Sequence, residues 1–210
     1  MKLYDCKIAP NPRRVRIFLA EKDLDIPKIE VSILDGDNLK PEFLRVNPRG
    51  LLPVLELDNG VLLDETVAIC RYVEETHPEP NLMGRNTLER AIIESWQRHM
   101  EFDGLAAVGE IVRNSIPVFS SRGLPGVTQV PAIPALVERG TASTKRFFER
   151  IEQRLKETEF IAGNRFTIAD ITALCAMDTA QNFVKLMIPE GNTATKRWYA
   201  AVSSRPSAKA

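Results

Sequence analysis

Asn47-Pro48-Arg49-Gly50-Leu51-Leu52-Pro53-Val54-Leu55-Glu56-Leu57-Asp58-Asn59-Gly60-Val61-Leu62-Leu63-Asp64-Glu65-Thr66 is the stretch whose reading decides the fold. Pro53 to Leu57 and Val61 to Leu63 are short apolar runs, and the turn chemistry of Asp58-Asn59-Gly60 joins them. Asn-Gly suits a tight hairpin because both residues tolerate positive φ. Glu65-Thr66 then opens a helix with Ile69 and Val73 on its inner face. The pattern predicts two antiparallel strands running directly into a helix.

Working toward the amino terminus, Leu3 to Cys6 reads as a strand. Asn11-Pro12 is a helix opening, with Asn at the N-cap and Pro at the first helical position, followed by Val15, Phe18 and Leu19 at helical spacing. Ile29, Val31 and Ile33 alternate with polar neighbours as a strand does, and a short helix is expected near Pro41 to Arg45. The order is β-α-β, a short helix, then β-β-α. Working toward the carboxyl terminus, His77-Pro78-Glu79-Pro80-Asn81 breaks the helix, because proline lacks the donor and clashes with the preceding turn. We expect a domain over residues 1–78, a linker over 79–85 and a second domain over 86–210. Strand signals vanish there. Ile92, Trp96 and Met100, then Leu105, Val108 and Val112, then Phe148, Ile151 and Leu155, all follow helical spacing. Thr167-Ile168-Ala169-Asp170 has the spacing of a capping box, with Asp in the place of the usual Glu or Gln. Residues 116–140, with four prolines and three glycines, read as a long irregular loop.

Composition narrows the chemistry. The chain has 210 residues, 44% of them apolar and 27% charged, which is globular and not disordered. Its 28 basic and 28 acidic side chains cancel, which argues against a nucleic-acid or anionic-membrane partner. No apolar run is long enough to span a membrane, and Met1 to Lys7 lacks the apolar stretch of a secretory signal, so a cytoplasmic protein is expected. Cys6, Cys70 and Cys175 then read as free thiols in a reducing compartment. With only His77 and His99 available and no CxxC spacing, no metal site is expected.

An amino-terminal β-α-β/β-β-α unit joined to an all-helical one resembles the cytosolic glutathione transferases, and three segments carry the likeness. Asn47 to Leu55 is similar to the family's N-P-x-G-x-x-P-x-L, and Leu63 to Ile69 to its L-x-E-S-x-A-I with Thr66 for Ser. Gly163 to Asp170 is similar to its G-x-x-F-T-I-A-D. The resemblance implies a thioredoxin-like α/β domain followed by an all-α domain, and glutathione as the substrate. It implies an enzyme that conjugates the glutathione thiolate to small hydrophobic electrophiles. The alternatives are a glutathione-dependent disulfide or peroxide reductase, and a non-catalytic protein that keeps the fold for binding or regulation. It also implies a homodimer formed through the first two helices of the second domain.

The same resemblance assigns the glutathione site. Leu52, before a cis Pro53, is expected to offer its backbone N–H and C=O to the cysteinyl unit. Glu65 and Thr66, at a helix start where the dipole favours anions, are expected to take the γ-glutamyl end. Lys40, with Asn38 nearby, is the candidate for the glycyl carboxylate. Ala9-Pro10-Asn11-Pro12 departs from the family's tyrosine, serine and cysteine classes, and the missing cysteines exclude a dithiol exchange carried by the protein itself. Asn11 resembles the asparagine of the bacterial nu class, whose amide NH2 would donate to the sulfur and stabilise the thiolate. The rivals are Cys6 and Tyr4, both inside the expected first strand. Ala9, Pro10 and His99 are the candidate lining of the electrophile pocket.

Overall fold

A computed structural model describes residues 1–210. Strand β1 (Lys2–Asp5) runs parallel to β2 (Lys28–Glu30) and antiparallel to β3 (Val54–Glu56), and β3 pairs antiparallel with β4 (Leu62–Asp64). The order across the sheet is β2-β1-β3-β4. Leu3 faces Leu55 in the β1–β3 register, and both are fully buried. Successive side chains alternate faces. Tyr4 accordingly points to the opposite side, where its ring meets Phe43 edge-on at 6.0 Å. Helices α1 (Pro10–Glu21) and α3 (Thr66–Thr76) pack together, and short α2 (Pro41–Leu44) carries Phe43.

Three local expectations are corrected here. Strand β2 ends at Glu30, so of the alternating trio only Ile29 lies within it, although Val31 still donates to the Asp5 carbonyl at 2.8 Å. It is an exposed edge strand with no partner beyond β1, and apolar alternation alone does not hold it in the ladder. Helix α1 begins at Pro10, so Asn11 is its second residue and extended Ala9 sits at the cap. Both prolines fit because the first N–H groups of a helix have no internal acceptor to lose. In the hairpin only Gly60 has positive φ (82°), while Asn59 steadies the loop by accepting from the Val61 N–H at 3.1 Å.

The helical half contains α4 (Thr87–His99), a wider π-type stretch (Met100–Leu105), α5 (Ala106–Ser115), α6 (Pro134–Glu157), α7 (Ile168–Val184) and α8 (Thr193–Ser203). The irregular segment is therefore shorter than expected, because Pro134 opens α6 rather than continuing the loop. Gly140 lies inside that helix, where a β-carbon would meet the Ala107 carbonyl at 2.8 Å. The glycine permits close approach of α5 and α6. Helix α7 is buried nearly all round, and Asp170 in its first turn accepts the Thr167 N–H at 2.9 Å. That carboxylate also takes the Ile161 N–H and the Trp198 Nε1–H, while burial pushes it up to about 6.

One apolar cluster runs through both halves, from Leu3 to Ala208. Polar contacts fix the same junction. Arg13 of α1 pairs with Asp178 of α7 at 2.6 Å, and Arg205 pairs with Glu21 at 2.7 Å. Lys22 Nζ donates to the His77 and Pro80 carbonyls at 2.8 and 2.6 Å. Glu74 accepts the Leu82 and Met83 N–H groups, so the segment between the halves is held at both ends.

Candidate functional site

The starts of α1 and α3 lie side by side, with the Thr66 hydroxyl 3.5 Å from the Asn11 carbonyl. Asn11 is exposed, while Arg14, one turn further on, is buried. Arg14 Nη1 donates to Asn11 Oδ1 at 3.0 Å. Its other nitrogens reach Glu101 Oε1 at 2.6 Å and the Thr172 hydroxyl at 3.0 Å. The contact fixes which way the Asn11 amide faces. Its oxygen is taken, and its NH2 group has no partner within the protein. Sequence reasoning singled out Asn11 and missed Arg14, because a basic residue in a first helical turn reads as solvated. Its partners lie 87 and 158 residues away in the chain.

Thr66 is buried at the first position of α3, and no side chain caps that helix. Glu65 before it has φ 64° and ψ 121°, a conformation that costs a residue with a β-carbon on the order of 1–3 kcal/mol. Its carboxylate is turned to Arg49 at 2.7 Å. The start of α3 is thus left open for an anion beside Asn11. The Leu52–Pro53 bond is cis, and neither the Leu52 N–H nor its carbonyl has a hydrogen-bond partner. Leu52 packs in a small apolar cluster with Cys6, Val31, Phe43 and Val54, on which Ala9 and Ile33 also rest. Leu52 and Ala9 therefore share one cluster, and Ala9 directly precedes the helix that carries Asn11.

Asn38 is buried and donates to the Gly50 carbonyl at 2.7 Å, shaping the turn that precedes Leu52. Lys40 is exposed and bound to Asp37 at 2.6 Å, a contact that raises the lysine pKa. The rival activators are engaged elsewhere. Cys6 is 1% exposed, and burial pushes its thiol up. The Tyr4 hydroxyl donates to Glu56 at 2.9 Å, and burial together with this contact raises it as well. His99 is exposed and meets Trp96 edge-on at 5.2 Å, and the Trp96 ring carries Arg154 of α6. That neighbourhood belongs to the helical half.

A helix start bearing a donor, a second helix start without a side-chain cap and the unpaired backbone before β3 all belong to the sheet half. Residues 3–81 match the glutathione S-transferase N-terminal domain, and residues 126–206 match the glutathione S-transferase C-terminal domain. The chain belongs to the glutathione S-transferase family. Glutathione S-transferase 2 of Saccharomyces cerevisiae is 32% identical, covering 100% of this chain and 88% of that protein. The crystal structure of Gtt2 from the same yeast superposes with a TM-score of 0.90 over 100% of this chain and 99% of that one. A class Gtt2 glutathione S-transferase of Vibrio parahaemolyticus is 33% identical, with a TM-score of 0.84 over 99% of this chain and 95% of that one.

The family's fold is therefore the one the sequence predicts, a four-stranded sheet unit followed by helices. The enzyme class and glutathione as substrate follow from the same family and relatives. No group of three or more His, Cys, Asp or Glu residues is placed to hold a metal ion, and no helix is long and apolar enough to cross a membrane. Cys6, Cys70 and Cys175 are all buried free thiols, and burial pushes Cys70 up to about 12 and Cys175 to about 11. None of the three is poised to act as a nucleophile at neutral pH.

Proposed function

We propose that this glutathione S-transferase conjugates the glutathione thiolate to small hydrophobic electrophiles, with Asn11 donating to the sulfur. The observation that carries this reading is the Arg14 contact to Asn11 Oδ1 at 3.0 Å, which leaves the amide NH2 as the outward group at the start of α1. A donor there, backed by the positive end of the helix, favours S⁻ over S–H and lowers the thiol pKa. The thiolate attacks the electrophilic carbon, the new C–S bond forms as the leaving group departs with its electron pair, and the thiol proton goes to solvent. Catalysis is then thiolate stabilisation and positioning.

Binding of the tripeptide divides among the groups the sequence singled out. The Leu52 backbone would pair with the cysteinyl unit, and Pro53 shapes that edge. Thr66 and the start of α3 would hold the γ-glutamyl carboxylate, with Glu65 accepting from its amine. Lys40 would reach the glycyl carboxylate by exchanging its exposed contact with Asp37. Ala9, Pro10 and His99 remain the proposed lining of the electrophile pocket. A homodimer through α4 and α5 is supported by Leu88 and Ile92, exposed on α4, and by Phe102, exposed in the stretch between the two helices. Three free thiols support a reducing cytoplasm.

Titration calorimetry with glutathione tests the first step, and 1-chloro-2,4-dinitrobenzene beside hydroxyethyl disulfide tests the second. Conjugation of the chloride supports the reading. Turnover of the disulfide alone would assign a reductase, and binding without turnover of either would assign a non-catalytic binding protein.

A further inference from the structure

Two arginines of the helical half share one aromatic ring. The Arg113 guanidinium at the end of α5 lies 4.3 Å from the Phe119 ring centre, and that of Arg122 lies 5.5 Å from it. Both are half-buried, and neither has a carboxylate within ion-pair distance. Glu110, the acidic residue on the same helix, is paired with Arg139 of α6. Their protein partners are backbone carbonyls. Arg113 reaches the Arg122 carbonyl at 3.5 Å, and Arg122 reaches those of Val118 and Ile33. Burial and the neighbouring charge of Arg122 hold Arg113 below its ordinary pKa, as expected of two cations without an anion between them.

The place of this pair in the fold gives it a use. The carbonyl that Arg122 bonds, at 3.2 Å, belongs to Ile33, which rests on the same apolar cluster as Ala9 and Leu52. Further along the loop, Val127 sits over Gly50, where a β-carbon would come within 3.3 Å of it, and Gly126 lies beside the Arg49 carbonyl. The loop therefore crosses from the helical half onto the segment that leads into Leu52. Leu34 and Val118, each next to a residue Arg122 bonds or on one, expose apolar surface there.

We infer that Arg113 and Arg122 form an anion subsite for the second substrate, selecting acceptors that carry a carboxylate beside an apolar body. The inference rests on the transferase reading and names the acceptor class for that site. A carboxylate would supply the missing counter-charge, and guanidinium groups stacked on an aromatic ring present their donors edge-on to it. A glycyl carboxylate of glutathione has the same chemistry, so the test must separate the two sources. The arginines belong to α5 and the loop after it, whereas the proposed glutathione contacts belong to the sheet half, and the Ile33 carbonyl is where the two meet.

The test compares 4-chloro-3,5-dinitrobenzoate with uncharged 1-chloro-2,4-dinitrobenzene as acceptors. It also measures binding of 3,5-dinitrobenzoate against 1,3-dinitrobenzene with S-methylglutathione filling the thiol site. Arg113→Gln and Arg122→Gln are each expected to cut kcat/KM for the benzoate, relative to the neutral acceptor, by about tenfold, the scale of one charged hydrogen bond. Arg122→Lys should restore part of that preference and an unaltered KM for glutathione should accompany all three. Equal losses on both acceptors, or a rise confined to the glutathione KM, overturn the inference. If the natural chain turns over neither acceptor yet binds the benzoate through these arginines, the subsite stands and the transferase reading falls. If it turns over both but its binding ignores charge, the reverse holds.

Discussion

The Asn11 side-chain oxygen accepts from Arg14 at 3.0 Å, and the same guanidinium is bound to Glu101 and Thr172 of the helical half. The proposed thiol-activating amide is thus oriented by a residue whose other partners lie in the other half of the molecule. Gln97, with its amide turned so that the oxygen faces Arg14, adds a further acceptor at 2.6 Å. A buried guanidinium is costly unless each donor is met, and here carboxylate, hydroxyl and amide oxygens meet them.

Asn11→Ala should raise the pKa of bound glutathione thiol by about one unit, the equivalent of about 1.4 kcal/mol of lost thiolate stabilisation. Thiolate absorbance followed against pH reads this directly. At a pH below the thiol pKa, kcat/KM should fall about tenfold, and the loss should shrink as pH rises. Asn11→Asp should be worse, since it sets a negative charge against the thiolate. A thiol pKa that is the same with and without the amide would rule out this role.

Arg14→Met tests the orienting contact and the junction together. It leaves Glu101 with only its exposed partner Arg98 and frees the Asn11 oxygen. Because Glu101 keeps Arg98, the loss should be about 1–3 kcal/mol, the cost of leaving buried hydrogen-bond partners unmet. Urea unfolding should therefore show a lowered midpoint. The double variant Arg14→Met/Glu101→Gln should recover part of the loss, because no charge is then stranded. Losses that simply add across the two single variants would mean that Arg14 and Glu101 do not interact.

Thr66→Val removes a hydroxyl at the start of α3 while keeping the side chain's shape. The KM for glutathione should rise about fivefold with kcat little changed, because the interaction is made equally in ground and transition states. A fall in kcat at constant KM would place Thr66 nearer the sulfur than the γ-glutamyl end.

Much of this arrangement is local chemistry and so was legible in the chain. Asp58-Asn59-Gly60 between two apolar runs specifies the hairpin, and Thr167 with Asp170 specifies the start of α7, because each signal needs only neighbours in sequence. The misreadings share another cause. Pro10, Pro12 and Pro134 all sit in first helical turns, where proline is tolerated, so proline content did not mark loop or helix start unambiguously. Strand β2 exposes its residues, so its pattern carried little burial information. Arg14, Arg113 and Arg122 were invisible because their meaning lies in partners far away in the chain. No periodicity records that a cation is buried or lacks a counter-ion.

The pair that joins α1 to the carboxyl terminus should contribute to acid sensitivity. Burial would push Glu21 up, but hydrogen bonds from Arg205 and Ser207 outweigh it and hold the carboxyl below its ordinary value of 4.5. A depressed folded-state pKa stabilises above the unfolded value and loses that contribution as pH falls through the folded one. Wild-type stability should therefore drop below about pH 4.5, and Glu21→Gln should make that limb shallower while costing about 1 kcal/mol at neutral pH. Urea midpoints measured from pH 3 to 7 on both proteins check the sign.

Two helical glycines in the second half should respond oppositely to the same substitution. At Gly140 in α6 a β-carbon would lie 2.8 Å from both the Ala107 carbonyl and Ile111 Cγ1, and 3.1 Å from Glu110 Cβ. Backbone cannot yield as a flexible side chain can, so α5 and α6 would have to move apart. Gly140→Ala should destabilise by about 2 kcal/mol, the usual scale of overpacking. At Gly109 in α5 a β-carbon would meet nothing within 4 Å. Gly109→Ala should instead stabilise by about 0.5–1 kcal/mol, through helix propensity and the reduced freedom of the unfolded chain. The contrast isolates packing from propensity, because both sites are helical and gain the same methyl group. Equal shifts in thermal midpoint for the two variants would mean that the close approach of α5 to α6 at Gly140 is not as drawn.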